Sequence, residues 1–176
     1  TTTDSAPQAT GLVEMTVNLP AGAALPTNPV FDPLDPSSFT QSTSMTVYDS
    51  LGSAHTSTYY FVKGAVPGAW DVHTYIDGNA VGGANALSYT SAGLLSAPAG
   101  GLITLPAYDP ANGAAPMNLT VDLGDSTQFG GPFGVNALTQ DGYAAGRLAS
   151  IDINPEGVVF ARFTNGRSTE LGKVVL

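Results

Sequence analysis

In the stretch TVYDSLGSAHTSTYYFVK, residues 46 to 63, Asp49, Ser50, Ser53 and His55 fall within seven positions. Those are the residue types of a hydrolase: a serine nucleophile, a histidine base and a carboxylate to orient it. Their spacing argues for another role. Gly52 supplies the positive φ of a tight hairpin, and Asp49 and Ser50 are residues that cap backbone groups locally. A triad needs side chains that converge in space, which neighbours in one hairpin loop rarely do. No G-x-S-x-G elbow occurs in the chain. The stretch reads as a turn between two strands, and no catalytic residue is assigned.

Other candidates fare no better. The expected strand register places His55 and His73 on one sheet face, roughly 13 Å apart at about 3.3 Å per residue. Zinc holds its histidines at about 2.0 Å, so the pair is not assigned to a metal. Asp32 and Asp35 in FDPLDPSS lack the spacing of a calcium loop and read as turn starts. Neither glycine-rich nucleotide motif occurs, and the sequon at Asn118 falls in a predicted strand. No metal or cofactor is expected. Tyr59, Tyr75 and Trp70 are the side chains on which a sugar could stack, and they keep an extracellular carbohydrate-binding module as the alternative function.

The elements that position these residues are strands. With 21 Gly and 13 Pro in 176 residues, the chain is punctuated every few positions, and strand formers fill the gaps. Residues 11–19 alternate, with Val13, Met15, Val17 and Leu19 on one face. Residues 20–41 are Pro-rich and predict a long loop over the surface, pinned by Phe31, Leu34 and Phe39. Strands follow at 43–49, 55–63 and 69–77. Setting Lys63 opposite Ala69 pairs Val62 with Trp70, Tyr60 with Val72, Thr58 with Thr74 and Thr56 with Ile76 on a core face. Phe61, Tyr59, Ser57 and His55 then face Asp71, His73, Tyr75 and Asp77 on a wetter face. Val47 opposite Thr56 brings Met45 and Val47 onto the core side. Short strands are predicted at 86–90 and 101–105, and a longer one at 116–123 with Met117, Leu119, Val121 and Leu123 in phase. A Gly-rich connector leads to a meander at 147–154, 157–164 and 168–175, whose Asn165-Gly166 is a strong hairpin signal.

Composition excludes several function classes. Hydrophobic residues are 43%, enough for a core, while charged residues are 11% against the roughly 25% of an average chain. Net charge is -9 with five Lys plus Arg, so no basic stripe exists for nucleic acid and an anionic membrane would repel the chain. The lack of cysteine removes disulfides, thiol nucleophiles and thiolate metal sites. No run approaches the 18 apolar residues of a membrane-spanning helix. The N-terminal TTTDSAPQAT has no signal-peptide pattern, and both ends read as the interior of a longer protein.

Three blocks carry a resemblance: STSMTVYDSLGSAHTSTYYFVK, AWDVHTYIDG and DGYAAGRLASIDINPEGVVFARFTNGRSTELGKVVL. They resemble the bacterial flagellar hook protein family, as does FDPLDPSSF, and together they span most of residues 31–77 and 141–176. The resemblance implies an all-β chain: an antiparallel barrel or sandwich-like outer domain at 1–143, and at 144–176 a three-strand meander of an adjoining middle domain. It implies a structural subunit, not an enzyme, exported by the flagellar type III apparatus. Its partners would be other copies in a curved helical tube outside the cell, and other rod and hook-junction proteins. This chain lacks the family's terminal helical segments and is expected to be a monomer by itself.

Overall fold

The computed structural model describes residues 4–174. Its strands are β1 (Asp4–Ser5), β2 (Leu12–Asn18), β3 (Gln41–Tyr48), β4 (Ala54–Lys63), β5 (Ala69–Ile76), β6 (Asn79–Ala80) and β7 (Asn85–Tyr89). There follow β8 (Leu95–Ala97), β9 (Leu102–Thr104), β10 (Thr120–Asp122), β11 (Gly134–Gln140), β12 (Gly146–Ile153), β13 (Val158–Phe163) and β14 (Ser168–Lys173). Helical structure among the described residues is confined to the short 3-10 turns Pro36–Ser38 and Ala99–Gly101. The all-β expectation holds. The last predicted strand reached position 175, which, like residues 1–3, lies outside the described residues.

One sheet runs β3-β4-β5-β7-β8, with β6 beside β5, and a second runs β11-β2-β10-β9. Pairing is antiparallel except between β2 and β10. The two inner faces share one core. Val13, Met15, Val17 and Leu19 meet Val47, Tyr59, Phe61, Trp70, Val72 and Ile76, closed off by Met117, Leu119, Val121 and Leu123. Bridges from Thr127 to Asn18 and to Leu94 join the two sheets at one side. A third sheet, β1-β12-β13-β14, contributes nothing to this core.

The β4–β5 register differs from expectation by one residue. Lys63 pairs with Trp70, Phe61 with Val72, Tyr59 with Thr74 and Ser57 with Ile76. Gly64 continues the ladder by donating its N–H to the Ala69 carbonyl at 2.8 Å, and Gly68 closes the shorter turn at φ 77°. A shift of one residue moves every side chain of a strand to the other face. Phe61, Tyr59 and Ser57 are therefore buried, and Val62, Tyr60 and Thr58 lie outside. β3 shifts in the same way, with Val47 opposite His55, although Val47 still enters the core. The trio Tyr60-Phe61-Val62 is apolar in either phase because the outer face is covered too. There Phe31 stacks on His73 at 3.8 Å and meets Tyr60 at 5.4 Å, and Phe39 meets Tyr60 at 4.9 Å. The loop at 20–41 is thus pinned by Phe31 and Phe39, whereas Leu34 is 89% exposed and pins nothing.

Strands β1, β6, β8 and β11 arise where no strand was expected. β11 pairs with β2 from Val13 to Asn18, with a bulge at Asn136. Its side chains are mostly exposed, so it carries little hydrophobic alternation to read.

Candidate functional site

The Asp49–His55 stretch forms a buried polar cluster. Asp49 follows β3, and its Oδ1 accepts the N–H groups of Leu51 and Ser53, each at 2.9 Å. The Gly52 N–H bonds back to the Asp49 carbonyl at 3.0 Å. The turn is thus wound around one carboxylate, as Asp-initiated turns are. Asp49 Oδ2 accepts from Asn112 Nδ2 at 2.7 Å and faces His55 Nε2 at 2.9 Å. The other ring nitrogen, Nδ1, faces Asp77 Oδ2 at 2.6 Å, while Asp77 Oδ1 accepts the Thr56 N–H at 2.9 Å. Asp77 and Gly78, at φ 48° and 80°, make the tight turn between β5 and β6, which needs positive φ at both positions.

The electrostatics follow from these bonds. Burial pushes the Asp49 carboxyl up, but donors from Asn112, His55, Ser53 and Leu51 outweigh it and hold the group well below the usual carboxylate range. Burial likewise disfavours the His55 cation. Its bonds to Asp49 and Asp77, with their charges, win and raise its pKa above the ordinary 6.5. Asp77 is lowered despite burial by its bond to His55 and by the Thr56 N–H. A ring with a carboxylate at each nitrogen is satisfied as the imidazolium, because both nitrogens must then donate.

This arrangement lacks the geometry of an activated serine. Both His55 nitrogens face carboxylates, and the Ser50 Oγ instead accepts the Ala115 N–H at 2.9 Å. His73 lies on the opposite sheet face, stacked on Phe31, because the register shift separates it from His55. No group of three metal-ligating side chains converges among the described residues. Asp32 and Asp35 cap turns through Leu34 and Ser37. Of the sugar-stacking candidates, Tyr59 and Trp70 are buried in the core, and Trp70 Nε1 donates to Gln128 at 2.6 Å. Tyr75 packs against Tyr60 and Phe31.

The turn has a second contact that its sequence does not announce. At Gly52, φ 82°, an added Cβ would lie 2.8 Å from the Pro7 Cβ and 3.1 Å from the Ala145 nitrogen. Pro7 and Ala145 belong to the two chain segments that run towards the third sheet. These segments are paired at Gln8 and Tyr143, whose N–H and carbonyl groups exchange bonds of 2.9 Å. Thr10 ties them to β3: its N–H reaches the Tyr48 carbonyl at 2.8 Å, its hydroxyl accepts the Tyr48 N–H, and that hydroxyl donates to Gln140. Beyond the pair, Asn165 donates to the Ala144 carbonyl at 2.9 Å, and Arg167 covers the Tyr143 ring at 4.6 Å.

Residues 18–143 match the model of the flagellar basal body protein FlaE D2 domain. The chain belongs to the flagellar hook protein family. It is 33% identical over 175 residues to the flagellar hook protein FlgE of Escherichia coli K12, covering 97% of this chain and 43% of that one. The hook protein of Helicobacter pylori 26695 is 33% identical over 156 residues, 78% of this chain and 21% of its own. The chain therefore spans less than half the length of the hook proteins it matches. In fold it is similar to the crystal structure of the Helicobacter pylori flagellar hook protein FlgE2, with TM-score 0.53 and 20% identity over 76% of this chain and 32% of the other. The match to the hook-family D2 domain ends at residue 143, where Tyr143 bridges to Gln8.

Proposed function

We propose that this chain is the outer part of a flagellar hook subunit, a structural component of the curved extracellular tube that joins rod to filament and acts as its universal joint. The observation that carries this reading is the D2-domain match over residues 18–143, which takes in nearly the whole two-sheet core. The chemistry agrees. The polar cluster with enzyme-like residue types spends its hydrogen bonds on shaping a turn, so its role is structural and no catalytic residue is assigned. Partners are other copies of the subunit in the helical polymer, together with neighbouring rod and hook-junction proteins, reached after type III export. A contact repeated without closing generates such a polymer.

Residues 1–143 form the outer unit and 144–176 part of an adjoining one, with Asp4–Ser5 lent to the third sheet through pairing with Arg147 and Gly146. The third sheet turns Ile151, Ile153 and Val159 to one face. Ile151 and Ile153 are 57% and 64% exposed, which fits a face covered in the intact protein by sequence outside these residues. Contacts between copies run through lateral surfaces of this part, and the 17.8 kDa chain is a monomer in dilute solution.

Deleting the whole gene in the source bacterium tests the assignment. Electron micrographs should show rods without hooks, restored by the full-length gene. Normal hooks in the deletion strain would overturn it. Sedimentation at micromolar concentration checks the monomer.

A further inference from the structure

The hook assignment gives the Asp49–His55–Asp77 cluster no task beyond shaping its turn, although it concentrates three ionisable groups at one place. The cluster joins three separate pieces of chain, with His55 at its centre. It is held between the carboxylates of Asp49, in the β3–β4 turn, and Asp77, in the β5–β6 turn. Asn112, from the loop between β9 and β10, closes the far side of Asp49. Asp49 is 0% exposed, so its charge depends on these donors. The same turn presents Gly52 to Pro7 and Ala145, at the paired segments that lead to the third sheet. The ion cluster and a close backbone contact thus meet at one short turn.

We propose that His55 is a doubly protonated clamp that holds the β3–β4 turn as the buttress of the junction between the two units, and that loss of one proton loosens this buttress. The proposal rests on the two-unit reading above. A neutral imidazole has one donor and one acceptor nitrogen. Deprotonation would leave a nitrogen lone pair facing a carboxylate at one of the two contacts, and that repulsion falls on Asp49 or Asp77. No compensating cation is at hand. The groups facing His55 are Asp49 and Asp77, and the neutral Asn112 and the backbone N–H groups of Leu51, Ser53 and Thr56 complete their shell. Among the described residues no Lys or Arg pairs with either carboxylate.

The direction with pH is fixed. His55 binds its proton more tightly folded than unfolded, so its stabilisation is full below its ordinary 6.5 and is lost as pH rises through the raised value. The lowered carboxylates act on the other limb. Their stabilisation is full above the ordinary 3.8 and is lost as pH falls through the depressed values. The clamp is therefore tightest between these limits.

Nitrogen-15 NMR of the 176-residue chain tests the clamp. At pH 6.5 His55, raised by its two carboxylates, should be mainly protonated at both ring nitrogens, while His73, lowered by burial, serves as a mainly neutral internal control. The amides of Gln8, Ala144 and Ala145 should shift with the His55 midpoint, and that shift should be absent in His55→Gln. Asp77→Asn, at a half-exposed site that should tolerate it, should lower the His55 midpoint by about one unit. A mainly neutral His55 at pH 6.5, or junction amides indifferent to its titration, would overturn the proposal. The two-unit division is judged separately by comparing nitrogen-15 relaxation rates on either side of Gln8 and Tyr143, a readout independent of His55 charge.

Discussion

Two regions of this chain use the same strand chemistry and end in different states. In the outer region, β2 to β5 and β7 to β11 enclose an apolar core whose largest members, including Trp70, Tyr59 and Phe61, are sealed from solvent. In the third sheet, β12 to β14 show equally good ladders, yet only Ala161 and Phe163 are buried there among the large and small hydrophobics. Charge follows the same division. Lys63 is the only Lys or Arg up to residue 143, whereas Arg147, Arg162, Arg167 and Lys173 all lie beyond it. The lesson is that a ladder is not a domain. Backbone pairing forms wherever strands alternate, but stability comes from a second apolar layer, and only the outer region has one here.

Substitutions can break that contrast, and Trp70→Asp should have the largest effect. It buries an unpaired carboxylate and removes the bond to Gln128, costing about 4 kcal/mol or more. Ile153→Asp, on the exposed face of the third sheet, should cost under about 1 kcal/mol in the 176-residue chain. Urea melts with equal losses for both would remove the contrast. Next comes the hairpin itself. Phe61→Ala should cost roughly 3–5 kcal/mol, and Val62→Ala, on the outer face, much less. The reverse order in a thermal melt would restore the register in which Val62 faces Trp70. Gly52→Ala meets both an unfavourable φ and the Pro7 Cβ, and should cost about 1–3 kcal/mol. A wild-type melting temperature there would show that the turn does not press on the junction. The smallest effect belongs to Tyr59→Phe. The Tyr59 hydroxyl is buried with no hydrogen-bond partner, so its removal should be neutral or slightly stabilising, by up to about 1 kcal/mol. A large loss would mean that the hydroxyl is bonded after all.

Much of the outer region was legible in the sequence, for a physical reason. β2 and β5 each bury one face and keep a polar opposite face, so Val13, Met15 and Val17, and Trp70, Val72 and Ile76, are readable from period two alone. β4 was misread because a loop covers its second face, which makes Tyr60 and Val62 as apolar as their neighbours. β11 was missed because its partner β2 supplies the burial. The turn at Asp49 was identified as a turn from its residue types. The cluster around it was not, because Asn112 lies 63 positions away and nothing local marks it as a partner. The junction contact at Gly52 is hidden in the same way: the glycine announces a bend, but not that Pro7 and Ala145 lie against it.

Amide hydrogen exchange on the 176-residue chain tests the central contrast most directly. Amides of β2, β4 and β5 should exchange only through global unfolding, while those of β12 to β14 should exchange far faster through local opening, with the change falling between Gln8 and Thr10 and near Tyr143. Equal protection in β4 and β13 would contradict it: the third sheet would then share the stability of the core, and the division of the chain into a self-sufficient unit and a dependent one would fail.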